Sequence, residues 1–363
     1  MKKLLAIALV LVMLVGVMAG CGKEEAKGTT IKMWSMWNAA EPQGIVLQEA
    51  ADAFHEKTGN TVQIEWKGRE MNKIILAALE GGEDIDLFEE GQPRIARNYT
   101  EYMLDLSDMA KAVGFEEKSY ACINNRIRGW TGGALNSIVE QPQIGGIFYN
   151  KTAFKEAGVE VPKTWTEFLD VCQKLVDAGW YPLALDSTYS DFNMGYHLAR
   201  VIGQDKVTEL AANGGWAKNE GAVKAADQLL ELRNKGFLAA GAPDDFPNGQ
   251  NKMGIPSPEG KRAAMIVCAQ YVINEVTGAS TEDVDFGYFG YPAVEGGADP
   301  DNNFVGGNGL GIPKASKNAQ VAFDFIMFLT RGEFDQKMAD AAEQIPAERH
   351  QPSSGRTRRG SGT

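Results

Sequence analysis

Carboxylates are the side chains with which this chain could most readily do chemistry. Glu89 and Glu90 follow an apolar run, and paired acids could serve as acid and base across a glycosidic bond. Their spacing argues against that use. Neighbours on an extended strand point to opposite faces, so these two cannot flank one bond together. No GxSxG or HExxH occurs. The stretch from Gly254 to Lys261 misses the phosphate-loop pattern, because five residues separate its glycines and Arg262 stands where Ser or Thr is needed. The glycines from Gly306 to Gly311 also lack GxGxxG spacing. His55, His197 and His350 are far apart, and Cys122, Cys172 and Cys268 have neither the even count of a disulfide framework nor CxxC spacing. Cys172 and Cys268 fall within apolar patterns and read as small core residues. No resident cofactor or metal is expected.

The elements that would position these acids alternate strand and helix, the pattern of an α/β protein. Ile31 to Trp34 is a strand; Leu47, Ala50, Ala51 and Phe54 then follow at helical spacing up to Gly59. Val62, Ile64 and Trp66 alternate as a second strand. Met71, Ile74, Ile75, Ala78 and Leu79 mark a helix, and Ile85 to Phe88 is a third strand. A second block opens at Ile147 to Asn150, continues through a helix from about Thr166 to Asp177, and reaches a strand at Pro182 to Leu185. Thr164 and Glu167 before that helix form a capping box. Ala222 to Leu232 and Ala319 to Leu329 are further helices, with strands at Ala263 to Val267 and Phe286 to Tyr291 between them.

The segment from Gly146 to Lys151, with Phe154, Ala157-Gly158 and Pro162 to Phe168, resembles the central signature of the family 1 extracellular solute-binding proteins. Gly260 to Met265 with Tyr271, then Gly306 to Pro313 and the helix Ala322 to Leu329, are similar to later segments of that family and come in the same order. The resemblance implies a two-lobed periplasmic-binding fold of type II, α/β throughout, with hinge strands between lobes that close on a ligand. It further implies a role as the capture component of an ABC importer, mostly for carbohydrates, with a permease as partner. Relatives that take polyamines or sugar phosphates keep a non-sugar ligand open. A secreted carbohydrate-active enzyme and a lipid-anchored sensor or adhesin are the other classes weighed.

A sugar site needs aromatic faces for the C–H surface of the ring and polar groups for its hydroxyls. Carried over by the resemblance, Trp37, Asn38 and Glu41 after the first strand, and Glu89 and Glu90 after the third, are expected to contact ligand. Ligands of open α/β sheets sit beyond the carboxyl ends of strands, which favours the first of these loops independently. The loop after Leu185 adds Asp186, Tyr189, Asp191 and Phe192. Tyr271 stands where many relatives stack a Trp, and Trp130 and Asn308 lie near the crossover and return segments. Each has a packing role as its alternative; Trp34 and Trp165 read as packing residues outright. On this reading Tyr271→Ala weakens binding and leaves the unfolding midpoint nearly unchanged.

Lys2 and Lys3 before the apolar run Leu4 to Met18, then Ala19, Gly20 and Cys21, form an export signal too short to span a bilayer. Met18 to Cys21 resembles a lipoprotein box, so Cys21 is expected to carry lipid at the outer face of the cell membrane. About 340 residues follow, enough for two domains. The expected layout is signal 1–20, tether 21–30, lobe one 31–137 with 305–347, and lobe two 138–304. The stretch 348–363, rich in Arg, Ser and Gly, reads as an atypical tail from a frameshift or truncation, or as a natural disordered one. A net charge of −12 argues against nucleic acid or an anionic membrane surface as partner, and a monomer is expected.

Overall fold

In the computed structural model the described residues are 28–349, apart from Glu282, Asn302 and Glu343. The export segment, Cys21 and most of the tether lie outside them, as do residues 350–363.

Eight strands run β1 Thr30–Ser35, β2 Thr61–Trp66, β3 Leu87–Gly91, β4 Ile138–Asn150, β5 Tyr181–Ala184, β6 Ala263–Ala269, β7 Phe286–Phe289 and β8 Val305–Gly311. They are hydrogen-bonded in the order β2-β1-β3-β8-β4-β6-β5, with β7 also on β4. β1 is parallel to β2 and β3, and β8 returns antiparallel between β3 and β4. The 13 residues of β4 join two sheets. Ile138 to Ile144 pair with β8, whereas Gly145 to Tyr149 pair with β6 and Ile147 to Asn150 with β7.

Hydrophobic packing divides the same way. Ile31, Leu47, Phe54, Ile138, Phe323 and Ile326 share one core, and Ile147, Phe168, Leu175, Leu183 and Met265 share another. The molecule is thus two α/β lobes with β4 and β8 between them. The crossing falls inside β4, since Ile138 packs with the first lobe; the expected boundary at 138 puts it a few residues too early.

Local signals act where the residues require. Pro42 starts the helix Pro42–Thr58, and Gly59, at φ 76°, ends it with its N–H on His55 O. Thr164 and Glu167 form the reciprocal capping box of the helix Trp165–Asp177. Cys172 and Cys268 are buried free thiols, and Trp34 and Trp165 are buried.

Two strands differ from expectation. β3 extends through Gly91, because Glu89 and Glu90 pair with Leu310 and Gly309 of β8; the two acids therefore sit within the strand and not beyond its end. β4 begins nine positions ahead of Ile147, and Pro142 and Gly145-Gly146 hide that length. A Cβ at Gly145 would meet Tyr196 Oη at 2.4 Å, so glycine there admits a close neighbour.

At the far end, Asp335 of the helix Gly332–Ala342 accepts the N–H groups of Ala347 (2.7 Å) and Glu348 (2.8 Å). Glu348 also pairs with Lys118 at 2.9 Å, and Arg349 N donates to Lys118 O at 2.7 Å. The first two residues assigned to an atypical tail are thus fastened to lobe one. Among the described residues no helix is long and apolar enough to cross a membrane.

Candidate functional site

The carboxyl end of β1 and the middle of β3 bring Trp37 and Glu89 together. Glu89 is fully buried and accepts hydrogen bonds from Ser35 Oγ (2.8 Å) and from the indole N–H of Trp37. The guanidinium of Arg69 lies 4.4 Å from the Trp37 ring and pairs with Glu41 at 3.1 Å, while Asn38 Nδ2 donates to Glu41 at 2.9 Å. Trp37 therefore has its N–H engaged and a ring face covered. In this geometry it packs as a wall of lobe one, the alternative role that the sequence left open for it.

Glu140, in the bulge of β4 between Val139 and Gln141, faces Glu89 within hydrogen-bonding reach. Burial, then the charge of Glu89, pushes the Glu140 carboxyl well above the usual carboxylate range. Burial also raises Glu89, against the opposing hydrogen bonds from Glu140, Ser35 and Trp37. Glu90 points to the other side of β3, where Arg94 pairs with it at 2.9 Å. Asn308 sits in β8 between Gly91 and Gln141, partly exposed. Glu89 and Glu90 thus serve different environments, as their adjacency in a strand requires.

In lobe two, the turn after β5 places Asp186 in a buried position, where its Oδ1 accepts Thr188 N at 2.9 Å. The helix Ser190–Ile202 then presents Asp191 and Phe192. Both line a cavity of about 280 Å³ together with Tyr196, Phe304 and Arg126, the last from the lobe-one helix Ala121–Thr131. Phe304 precedes the returning strand β8. The cavity is thus walled by both lobes and by the connection between them.

Other rings extend from Phe192, Phe304 and Arg126, which line the cavity. Tyr271 lies 5.5 Å from Tyr189, Tyr189 lies 6.2 Å from Phe192, and Phe192 lies 5.5 Å from Phe304. Arg126 then stands 5.6 Å from the Phe304 ring and 4.8 Å from that of Trp130. Four residues singled out from the sequence, Tyr271, Tyr189, Phe192 and Trp130, are in this way joined through Phe304 and Arg126. Tyr271 is also partly core: it packs on the cluster of Phe148, Ile266 and Val272, and burial raises its hydroxyl far above the usual tyrosine value. Arg126, Phe304, Tyr196 and Glu140 were not expected. Phe304 stands next to the glycine-rich return segment and was within reach of the sequence, whereas nothing along the helix marks Arg126.

A family model described as bacterial extracellular solute-binding protein matches residues 39–333. The chain belongs to that family. It is 24% identical over 220 residues to the multiple sugar-binding protein of Streptococcus mutans, covering 56% of this chain and 49% of that protein. It is 26% identical over 204 residues to the galactooligosaccharide-binding protein of Bacillus subtilis, covering 55% of this chain and 46% of that one. The chain thus spans about half the length of these two relatives. Against the diacetylchitobiose binding protein DasA of Streptomyces coelicolor it is 25% identical over 348 residues, covering 90% of this chain and 75% of the relative.

Among solved structures, the apo form of RafE from Streptococcus pneumoniae superposes with a TM-score of 0.74 at 16% identity, covering 92% of this chain and 85% of that one. The solute receptor AcbH superposes at 0.72 with 18% identity, covering 91% and 82%. Such identities establish the fold, and this solute-binding protein shares it across nearly all its described length.

Proposed function

We propose that this solute-binding protein captures a carbohydrate, an oligosaccharide, between its lobes and delivers it to the permease of an ABC importer, without itself catalysing a reaction. The observation that carries the proposal is the band of rings from Tyr271 through Tyr189 and Phe192 to Phe304, ending on Arg126 and Trp130, at a cavity walled by both lobes. Aromatic faces beside Asp191 offer what a sugar needs: flat surfaces for C–H groups and an acceptor for hydroxyls. The names of the relatives, which bind multiple sugars, galactooligosaccharide and diacetylchitobiose, support the ligand class. Contacts are assigned to Trp130, Asp191, Phe192 and Tyr271. Because these residues come from both lobes, a ligand that bridges them favours the closed arrangement only by what it gains from both at once. A lipid on Cys21 holds the monomer at the outer face of the membrane.

Thermal unfolding with a panel of saccharides, polyamines and sugar phosphates tests this. A ligand at about 100 times its dissociation constant adds roughly 2.7 kcal/mol, enough to raise the midpoint by several degrees. A selective saccharide should do so, and chromatography should recover it unchanged. A shift by a polyamine alone, or conversion of the sugar, overturns the reading.

A further inference from the structure

We propose that the saccharide carries a carboxylate, as a uronic acid unit does, and that Arg126 receives it. This rests on the saccharide reading above and narrows it. Arg126 is half-buried at the cavity wall, yet among the described residues no carboxylate pairs with it. Among the described residues its hydrogen bond is from Nη1 to Val305 O at 3.0 Å, which leaves the other N–H groups of the guanidinium fork facing the cavity. The rings of Trp130 and Phe304, 4.8 and 5.6 Å away, lie beside it. The charged neighbour that acts on it is a second cation, Arg97, whose guanidinium lies 5.9 Å from the same Trp130 ring.

A guanidinium half withdrawn from water with no anion paired to it is costly, and in a protein of net charge −12 acids that could neutralise it are plentiful. The fold spends none of them here. A planar carboxylate fits the fork with two parallel hydrogen bonds. Asp191, on the same cavity, is exposed, and its Oδ1 accepts the N–H of Phe192 at 2.9 Å. It repels an acid and accepts hydroxyls, so the two side chains orient the unit: carboxylate toward Arg126, hydroxyls toward Asp191. At about 280 Å³ the cavity suits one end of an oligosaccharide more than the whole.

The test is calorimetric titration of the protein with matched disaccharides of the gluco, galacto and manno series, each in a neutral, a uronate-terminated and a phosphate-terminated form. The uronate member of at least one series should bind about ten- to a hundredfold more tightly than its neutral match. Arg126→Gln should erase that preference, so that the uronate and neutral members of a series bind alike. Arg126→Lys keeps the charge and loses the fork, so it should keep part of the preference. Should Arg126→Gln fail to fold, the ranking of ligands by the unaltered protein decides. Neutral members binding as well as uronates, or phosphates binding better, overturns the proposal and leaves the saccharide reading standing. Binding of no saccharide in any form overturns both.

Discussion

The indole N–H of Trp37 donates to the carboxylate of Glu89, and both side chains are closed to solvent. The bond ties the loop after β1 to the middle of β3, with Ser35 as a second donor. Trp37→Phe keeps most of the ring and deletes the donor. The expected loss is about 1–3 kcal/mol, the penalty for stranding a buried acceptor. Since burial raises the Glu89 carboxyl, the loss should be smaller at pH 4, where the protonated group needs the donor less, than at pH 8. Thermal unfolding at the two pH values reads the difference, and an equal loss at both speaks against a charged acceptor.

Glu140 and Glu89 oppose each other in the hinge region with both carboxyls raised. The sign follows from that direction. A carboxyl raised by folding leaves stability intact below its unfolded value of about 4.3 and lowers it as pH rises through the folded value. Glu140→Gln removes one desolvated charge and supplies an N–H to Glu89. The variant should unfold at a higher temperature than the parent at pH 8, with the gain shrinking toward pH 4. A gain that is the same at both would mean the pair does not titrate.

Asp335 carries a third buried carboxyl, pushed up to about 7 by burial despite accepting two backbone N–H groups. Its contribution is present below about pH 4 and is lost as pH climbs to about 7. Asp335→Asn loses one acceptor at every pH, yet the midpoint difference, parent minus variant, should fall between pH 4 and pH 8. A difference that grows over that interval contradicts the assignment.

Tyr271 shows where sequence reasoning stops. From sequence alone, Tyr271→Ala weakens binding without touching stability; in the fold the ring also packs on lobe two, beside Tyr189 and Val272. Tyr271→Ala should therefore lose both ligand affinity and about 2–4 kcal/mol of stability. Tyr271→Phe should keep affinity within a fewfold and unfold close to the parent. Unchanged affinity in the alanine variant returns Tyr271 to the core alone.

What the sequence made legible follows the range of the forces involved. The Thr164–Glu167 box, the Gly59 stop and the alternation of Val62, Ile64 and Trp66 are local, and each stands where its neighbours in the chain put it. The two-lobed architecture was legible because its ordered segments resemble a family. The placement of Glu89 and Glu90 was not, since the partners that extend β3, Leu310 and Gly309, come from a return strand distant in the chain. Arg126 was silent for the same reason: its significance comes from Phe192 and Phe304, which only the crossing of β4 and β8 brings to it. The bond from Trp37 to Glu89 was silent too, since it joins the loop after β1 to a strand some fifty residues on.

The most direct test of saccharide capture between the lobes is calorimetric titration of the parent, Phe192→Ala and Asp191→Ala with the saccharide that most raises the melting temperature. Saturable binding to the parent is expected, and at least about tenfold weaker binding to each variant, roughly 1.4 kcal/mol or more, with the ligand-free midpoint little changed in Asp191→Ala and lowered in Phe192→Ala, whose ring packs on the lobe-two core. Binding that both variants retain at the parent's affinity would place the sugar elsewhere and contradict the account.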